Sequence, residues 1–329
     1  MRFLRLLRVG RSLAPALALA LSCGLAVAQP SPLRLVATIE LPGTSGRLDH
    51  LAFAADRKLL FVAGLGADSV EVVDLVARRR LRRITGVREP QGLAYAPGLG
   101  LFVASGEGDQ ILRVEGEEVR TLASGLPDAD NLRLDADAGR LYAGYGKALA
   151  VLDARSGAVL QRLALPGHPE AFELAGGRIY VNVPTAGVVV VLDLVSGNTV
   201  AQWPVAPARG NFAMALDGSS RRLFVATRSP PQLIAFATDS AERSPSLPLC
   251  GDVDDLALDS AQHTLYAVCG DGHVASIDTQ DAARAQLRAT VNSSPGARTG
   301  LWVPALRSLF VAAPASGGRH AAILVYEAP

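Results

Sequence analysis

The side chains best suited to chemistry in this chain are five histidines and the carboxylates that accompany two of them. Asp49 directly precedes His50, and Glu170 lies two residues after His168. An imidazole beside a carboxylate can transfer a proton or bind a metal ion. The sequence contains neither H-E-x-x-H nor G-x-S-x-G. It therefore indicates neither a zinc-protease helix nor the nucleophile turn of a hydrolase.

Two sets of side chains are candidates for holding a divalent cation. Imidazole combined with carboxylate suits zinc, copper or iron. Carboxylate oxygens alone suit calcium. The first set is Asp49, His50, His168, Glu170 and Asp254, and the second is Asp252, Asp254 and Asp255. Because the first set lacks a tight ligand spacing such as H-E-x-x-H, and the second is only a local run of acids, a divalent metal stays one hypothesis, and the sequence identifies no cofactor.

Arginine provides a third kind of chemistry. Four arginines are expected near one face and could bind a carboxylate or a phosphate, or could simply be solvated. They are Arg47, Arg88, Arg209 and Arg298. The one dense charge run is Arg78-Arg79-Arg80-Leu81-Arg82-Arg83. On an outer strand such a run discourages pairing between sheets, or it docks an acidic partner.

The first 28 residues are typical of a signal peptide. A basic segment precedes an almost wholly apolar one, Ala14 to Ala28, which ends in the small-residue pattern Ala26-Val27-Ala28. We expect cleavage after Ala28 and a mature chain, residues 29–329, in the periplasm or outside the cell. No later segment has the run of apolar residues that a membrane span needs, so we expect none in the mature chain.

Charge and aromatic content argue against nucleic acid as the partner. The leader removes four arginines and no acid, which lowers the formal net charge of +1 by four, to −3. Nucleic-acid binding depends on clustered positive charge and, for single strands, on aromatic platforms. Aromatic residues make up only 5% of this chain.

Cys250 and Cys269 are the cysteines that remain after the leader. An even pair in an oxidising compartment predicts a disulfide. Two buried free thiols, or metal binding together with His273, are the alternatives.

An internal repeat determines the fold class. An aliphatic residue followed by an aromatic recurs about every 40 residues, and Val or Ala usually follows it. Each unit holds four short β-like runs separated by turn residues. Four strands per unit at this period predict an all-β, seven-bladed β-propeller. The seven pairs are Leu60-Phe61, Leu101-Phe102, Leu141-Tyr142, Ile179-Tyr180, Leu223-Phe224, Leu265-Tyr266 and Leu309-Phe310.

The ends of the mature chain predict how the ring closes. The seventh unit has only three strands before Pro329, and residues 33–43 resemble the outer strand at residues 159–167, which also ends in Leu-Pro-Gly. We expect the N-terminal strand to complete the last blade and hide its edge. The prediction is a single domain over residues 29–329, working as a monomer.

Propeller topology brings the polar residues together. The inner strands all start at one face, where the loops between second and third strands also lie, so His50, His168, His273 and His320 share that face. We call the polar residues at the inner-strand starts the channel rim. They form a candidate ligand site, although any one of them could instead bond neighbouring backbone or water. The candidates are Asp49, His50, Gln91, Asn131, His168, Glu170, Asn211, Asp254 and Arg298.

With these motifs the mature chain resembles the YncE/YVTN family of bacterial β-propellers over essentially its whole length. The resemblance rests on the Leu-aromatic-Val-Ala second strand, on third strands ending as in Asp193-x-x-Ser196-Gly197, and on residues 46–50 opening the first blade. It implies a propeller of the kind found in surface proteins and beside redox partners. The motifs are specific for fold and weak for activity.

The favoured hypothesis is therefore an exported, non-catalytic protein that binds a periplasmic protein or a small polar ligand at the channel rim. The alternative is a lactonase-type hydrolase that uses a site on the same face. That site is either a bound metal ion or His50, His168, Glu170 and Arg298 as acid, base and charge-stabilising groups. A quinoprotein is not expected, since Trp203 is too far from Gly197 for the required motif.

Overall fold

The structure is a computed structural model that describes residues 33–281 and 283–328. The predicted signal peptide lies outside these residues. The described chain forms seven four-stranded antiparallel sheets, each built in sequence order from one repeat, with the seventh completed from the N-terminus. The predicted seven-bladed β-propeller is confirmed.

The first four blades have regular strands of four to seven residues. Blade 1 contains β2 (Leu51–Ala54), β3 (Leu59–Gly64), β4 (Ser69–Asp74) and β5 (Arg79–Ile84). Blade 2 contains β6 (Pro90–Ala96), β7 (Gly100–Ser105), β8 (Gln110–Glu115) and β9 (Glu118–Ser124). Blade 3 contains β10 (Leu132–Asp135), β11 (Arg140–Tyr145), β12 (Ala148–Asp153) and β13 (Val159–Ala164). Blade 4 contains β14 (Phe172–Ala175), β15 (Arg178–Val183), β16 (Val188–Asp193) and β17 (Thr199–Pro204).

The remaining blades depart from this pattern at their inner and outer edges. Blade 5 contains β18 (Arg209–Asp217), β19 (Arg222–Ser229), β20 (Pro231–Ala237) and the two-residue β21 (Leu247–Pro248). Blade 6 contains β22 (Val253–Asp259), β23 (Thr264–Cys269), β24 (His273–Asp278) and β25 (Gln286–Asn292). Blade 7 contains β26 (Thr299–Val303), β27 (Ser308–Ala313), β28 (Ala321–Glu327) and β1 (Arg34–Leu41). Short 3₁₀ helices occur at Leu65–Ala67, Ser260–Gln262 and Pro304–Leu306.

The hydrophobic core lies between the blades. The described residues form seven apolar clusters, each shared by two adjacent blades, and each contains one of the seven repeat aromatics. All seven aromatics are buried. A buried aromatic contributes about 1.5–3 kcal/mol relative to an exposed one. The repeat therefore recurs because every interface between blades needs the same large side chain.

The ring closes through β1, which pairs antiparallel with β28 from Arg34 opposite Glu327 to Leu41 opposite Ala321. Ile39 and Leu41 are buried in the cluster between blades 7 and 1. The predicted closure by the N-terminal strand is confirmed.

The aspartates that end the third strands organise turns on the opposite face from the channel rim. Asp153 Oδ1 accepts hydrogen bonds from the amides of Arg155 and Ser156, and Gly157 adopts a φ of +75°. Asp193 Oδ1 binds the amides of Val195 and Ser196 in the same way. Each carboxylate therefore stabilises the turn that follows its strand, and Asp-x-x-Ser-Gly is the sequence pattern of that turn.

Candidate functional site

The channel rim is assembled where the inner strands begin, and side chains and amides there link one blade to the next. The amides of Asp254 and Asp255 lie 3.3 and 3.2 Å from the carbonyl oxygen of Arg298 in blade 7. The Thr299 hydroxyl donates to the carbonyl oxygen of Asp49 in blade 1 at 3.0 Å. A register shift between Val253 and Asp255 takes Asp254 out of the β22–β23 ladder. Such bulges redirect side chains next to functional sites.

Three arginines from three blades surround two aspartates. Arg228 Nη2 contacts Asp254 Oδ1 directly and lies 3.1 Å from Asp252 Oδ1. Arg298 Nη1 lies 3.2 Å from Asp252 Oδ2, and its Nε lies 3.6 Å from Asp254 Oδ2. Arg47 Nη2 is 3.8 Å from the same Asp254 oxygen. Burial raises the pKa of Asp254, while the three guanidiniums lower it. We call these five residues the arginine–aspartate cluster.

His50 lies between two carboxylates beside this cluster. Its Nδ1 is 3.3 Å from Asp255 Oδ1, and its Nε2 is 3.9 Å from Asp49 Oδ1. Burial alone would lower the imidazole pKa, but Asp255, Asp49 and then Asp130 raise the pKa of His50 to about 10. Burial in turn raises the pKa of Asp49 to about 6, against the opposing charges of His50 and Arg47. His50 is therefore an imidazolium ion at neutral pH.

A third group brings together Asp130, His168 and Glu170, each of which offers a ligand atom within 4.8 Å of the others. His168 Nε2 lies 3.5 Å from Asp130 Oδ2, and Nδ1 lies 3.0 Å from the carbonyl oxygen of Gly146. The hydrogen bond to Asp130 is the main cause that raises the pKa of His168, with Asp128 adding to it. Burial, and then the charge of Asp130, raise the pKa of Glu170.

The uncharged residues predicted for the channel rim mainly bind other parts of the chain. Asn211 is fully buried and donates from Nδ2 to Asn182 Oδ1 at 3.0 Å and to the Val188 carbonyl oxygen at 2.9 Å, which ties blade 5 to blade 4. Asn131 is buried, with its Nδ2 3.4 Å from Asp130 Oδ1. Gln91 is half-buried at the start of β6, with its Nε2 against Gly106.

Below the rim the central channel contains a cavity of about 540 Å³. His50, Asp255 and Asn131 line it together with apolar side chains of the inner strands, among them Leu132 and Trp302. Ligand pockets have volumes of about 300–1,000 Å³, with mainly apolar walls and a few polar groups. Arg133 and Glu173, paired at 3.3 Å, also line the cavity, so the channel has the size of a small-molecule pocket and a mixed polar and apolar lining.

The two predicted metal-ligand sets do not form as expected. Among the described residues, Asp49, His50 and Asp254 join no group of three possible ligands, whereas His168 and Glu170 do so with Asp130. Asp252, Asp254 and Asp255 form no such group either, because guanidiniums bind the first two and the imidazole of His50 faces the third. The acidic residues are paired across blades, a relationship that spacing along the chain does not reveal.

Sequence reasoning missed Arg228 and Asn182. Arg228 lies near the end of β19, which has eight residues where the second strands of blades 1–4 have six. The extension carries its guanidinium over the rim, 3.8 Å from the centre of the Phe212 ring. An alignment of the repeats could have shown that the second strand of blade 5 is longer than the others, and so could have pointed to Arg228.

The basic run is only partly a solvated edge. Arg83 Nε lies 2.7 Å from Glu71 Oε1, and Arg80 Nη1 lies 3.2 Å from Glu71 Oε2. Glu71 is fully buried and also accepts from the Thr44 hydroxyl at 3.0 Å. Arg80 donates further to the Pro42 carbonyl oxygen at 2.8 Å. Two of the arginines thus fix the segment after β1, so the run does not act as a single docking strip.

Cys250 and Cys269 are joined in the structure, with their Cα atoms 5.8 Å apart. Asp271 lies next to them, whereas the exposed His273 has its Nδ1 2.9 Å from Asp271 Oδ1. His320 is exposed in the loop before β28, lining a separate cavity with Arg319. Among the described residues no helix reaches the length and apolarity that crossing a bilayer demands.

Comparison with known proteins supports the fold. No protein family model and no curated protein matches this chain. A chain of a structure described as "Kuenenia stuttgartiensis Hydrazine Synthase" matches with a TM-score of 0.72 at 18% identity, covering 83% of this chain and 95% of that chain. A chain of "Crystal Structure of Mitotic Checkpoint Complex" matches with a TM-score of 0.76 at 14% identity, covering 97% and 98%. At these identities the β-propeller neighbours show a shared fold alone.

Proposed function

We propose that this chain is an exported, non-catalytic β-propeller of the YncE/YVTN type that binds a polar ligand at the channel rim. The ligand is a small molecule or a polar group of a periplasmic protein. The joined cysteines support export, because disulfides persist in oxidising compartments.

The observation that carries this proposal is the concentration of buried polar atoms without a hydrogen-bond partner. Six of the ten such side-chain atoms in the described residues belong to the channel rim and the arginine–aspartate cluster. A buried polar atom without a partner costs about 1–3 kcal/mol. A purely structural network would be expected to satisfy its members. The six atoms are Asp49 Oδ1, Asn131 Oδ1, Asn211 Oδ1, Asp254 Oδ2, Arg228 Nε and Arg298 Nε. Two of them, Asp254 Oδ2 and Arg298 Nε, form an ion pair at 3.6 Å, just beyond hydrogen-bond distance.

These atoms also indicate the chemistry of the ligand. Four of the six are oxygens that accept hydrogen bonds, and only two are donors. A ligand rich in donors, such as an amine or a polyol, complements this set after small side-chain rotations. The cavity beneath offers an apolar wall for the rest of a small molecule.

The hydrolase alternative needs a base among its proposed residues. The pKa of His50 is raised to about 10, so this imidazole carries a proton at neutral pH and cannot accept another. This protonation disfavours His50 as the general base.

If the ligand is a small molecule, a thermal-unfolding screen with amines and polyols tests the proposal. A true ligand at one hundred times its Kd stabilises the protein by about 2.7 kcal/mol and raises Tm. In Asp254→Asn, which removes a charge from the rim, we expect that rise to be lost. Asp153→Asn changes a turn on the opposite face and should retain it.

If the ligand belongs to a partner protein, a photo-crosslinking amino acid introduced into the chain tests the proposal. Placed at the exposed rim position Arg209, it should capture one partner in the native compartment. Placed at Val195, which is 85% exposed in a turn on the opposite face, it should capture none. Absence of a rim-dependent result in both experiments would refute the proposal.

A further inference from the structure

We propose that Asp130, His168 and Glu170 form a binding site for one divalent transition-metal ion, Zn²⁺ in the first place. The three residues supply one imidazole nitrogen and two carboxylate oxygens, all within 4.8 Å of one another. Imidazole favours zinc over calcium and magnesium, which take oxygen ligands. Three protein ligands leave a coordination position for water or a polar ligand.

The orientation of His168 matches that of a metal-binding imidazole. Its Nδ1 lies 3.0 Å from the Gly146 carbonyl oxygen, which can only accept a hydrogen bond, so Nδ1 carries the hydrogen. Nε2 is thereby directed towards Asp130 Oδ2, 3.5 Å away. A metal ion that binds Nε2 displaces the proton of this nitrogen to solvent. Metal-bound histidines are held in this way, with the second ring nitrogen donating to a carbonyl or carboxylate. Asp128 Oδ2, 3.4 Å from Nδ1, is a second acceptor outside the group.

The two carboxylates have few partners of their own. No hydrogen bond within the described residues reaches the carboxylate of Glu170, which is half-buried. Asp130 is only 7% exposed, and its contacts to Asn131 Nδ2 and His168 Nε2 are long, at 3.4 and 3.5 Å. A buried and a half-buried carboxylate this close repel each other, and a dication bound between them removes the repulsion.

Backbone hydrogen bonds hold two of the three residues before any metal binds. The Asp130 amide donates to the Gly144 carbonyl oxygen at 2.9 Å, and the Glu170 amide donates to the Asn182 carbonyl oxygen at 3.0 Å. These bonds fix the starts of the inner strands of blades 3 and 4. Ligands carried on a rigid frame lose little entropy when the metal binds. The site needs no ligand at the rest of the rim and so goes beyond the proposed function.

The test of the site is a titration with Zn²⁺ alone. It uses mature protein without an affinity tag, from which metal has been stripped. We expect one equivalent per chain by equilibrium dialysis. His168→Gln and Glu170→Gln should each weaken binding by at least about 100-fold, more than the loss of an outer-shell partner. His273→Gln is the matched control, because it removes an exposed imidazole that also faces an aspartate. It should bind Zn²⁺ as the unchanged protein does.

Co²⁺ added to the unchanged protein gives a readout that does not depend on the folding of any variant. A four-coordinate site of nitrogen and oxygen ligands gives visible absorption that Zn²⁺ then abolishes. Failure of the folded, unchanged protein to bind one equivalent, or equal binding in both ligand variants, overturns the site. Zn²⁺ can bind when no amine or polyol binds the rim, and an amine or polyol can bind when Zn²⁺ does not. The outcome of the Zn²⁺ titration is therefore distinguishable from the outcome of the tests of the proposed function.

Discussion

At the scale of single residues, His50 links protonation to stability. Its pKa is raised from 6.5 to about 10 because Asp255, Asp49 and Asp130 outweigh the effect of burial. A group whose pKa is higher in the folded state stabilises the fold fully below its unfolded pKa and loses that contribution as pH rises through the folded value. The contribution of His50 is therefore complete below about pH 6.5 and disappears towards pH 10. The pKa of Asp49 is raised from 3.8 to about 6, so Asp49 affects the pH dependence of stability at lower pH than His50 does.

We predict that His50→Gln lowers the free energy of unfolding at pH 7 by about 1–3 kcal/mol. We also predict that it removes most of the fall in stability between pH 7 and pH 10. Urea unfolding at several pH values measures both effects. His273→Gln, with an exposed imidazole, should leave the pH dependence unchanged. An equally steep fall in His50→Gln would show that other groups cause it.

The roles of some of these polar residues could be predicted from the sequence and those of others could not, for a physical reason. Asp153 and Asp193 act on amides two and three residues away, so their turn role is written in the local sequence. Asp254 meets arginines from three blades, and no local pattern encodes that meeting. Propeller topology predicted which residues face the channel rim, whereas the pairs they form depend on geometry across blades.

At the scale of elements, the third and fourth strands of blade 1 enclose a buried charge beneath the arginine run that the sequence assigns to an outer strand. Glu71 on β4 is fully buried between Arg80 and Arg83 of β5. The segment after β1 accepts hydrogen bonds from both arginines, at the Pro42 carbonyl oxygen and the Thr44 hydroxyl. These outer-strand arginines become half-buried because the N-terminal strand lies beside them.

We predict that Glu71→Ala destabilises the protein by about 3–5 kcal/mol, because it leaves two guanidiniums without their carboxylate. Chemical unfolding gives the value, and hydrogen exchange should show faster exchange around Thr44, which bonds the same carboxylate. Glu118→Ala on the exposed outer strand β9 is the matched control and should change stability by less than about 0.5 kcal/mol. Similar values for the two variants would mean that Glu71 contributes no more than a surface acid.

At the scale of the whole molecule, stability is divided among seven equivalent interfaces, each with one repeat aromatic. The repeat period was enough to predict the blade count, because a ring of this kind needs the same contacts at each interface. The closure was predicted from the likeness of residues 33–43 to the outer strand at residues 159–167. The two-residue β21 was not predictable in the same way, since the segment before it lacks the strand pattern of the other blades.

The closing strand gives the last prediction. Deleting residues 33–41 exposes the edge of β28 and removes Ile39 and Leu41, which contribute about 1.5–3 kcal/mol each through burial. We expect a markedly lower Tm and association through the free edge, seen as earlier elution on gel filtration.

A permuted chain separates the position of this strand from its mere presence. Residues 33–42 moved to follow Ala328 through an Asn-Gly turn would form an ordinary hairpin with β28, since Arg34 already lies opposite Glu327. The permuted protein should regain most of the lost Tm and elute as the unchanged protein does. A permuted chain as unstable as the deletion would mean that the connection from β1 into blade 1, including Thr44 and its bond to Glu71, holds the ring together more than strand pairing does.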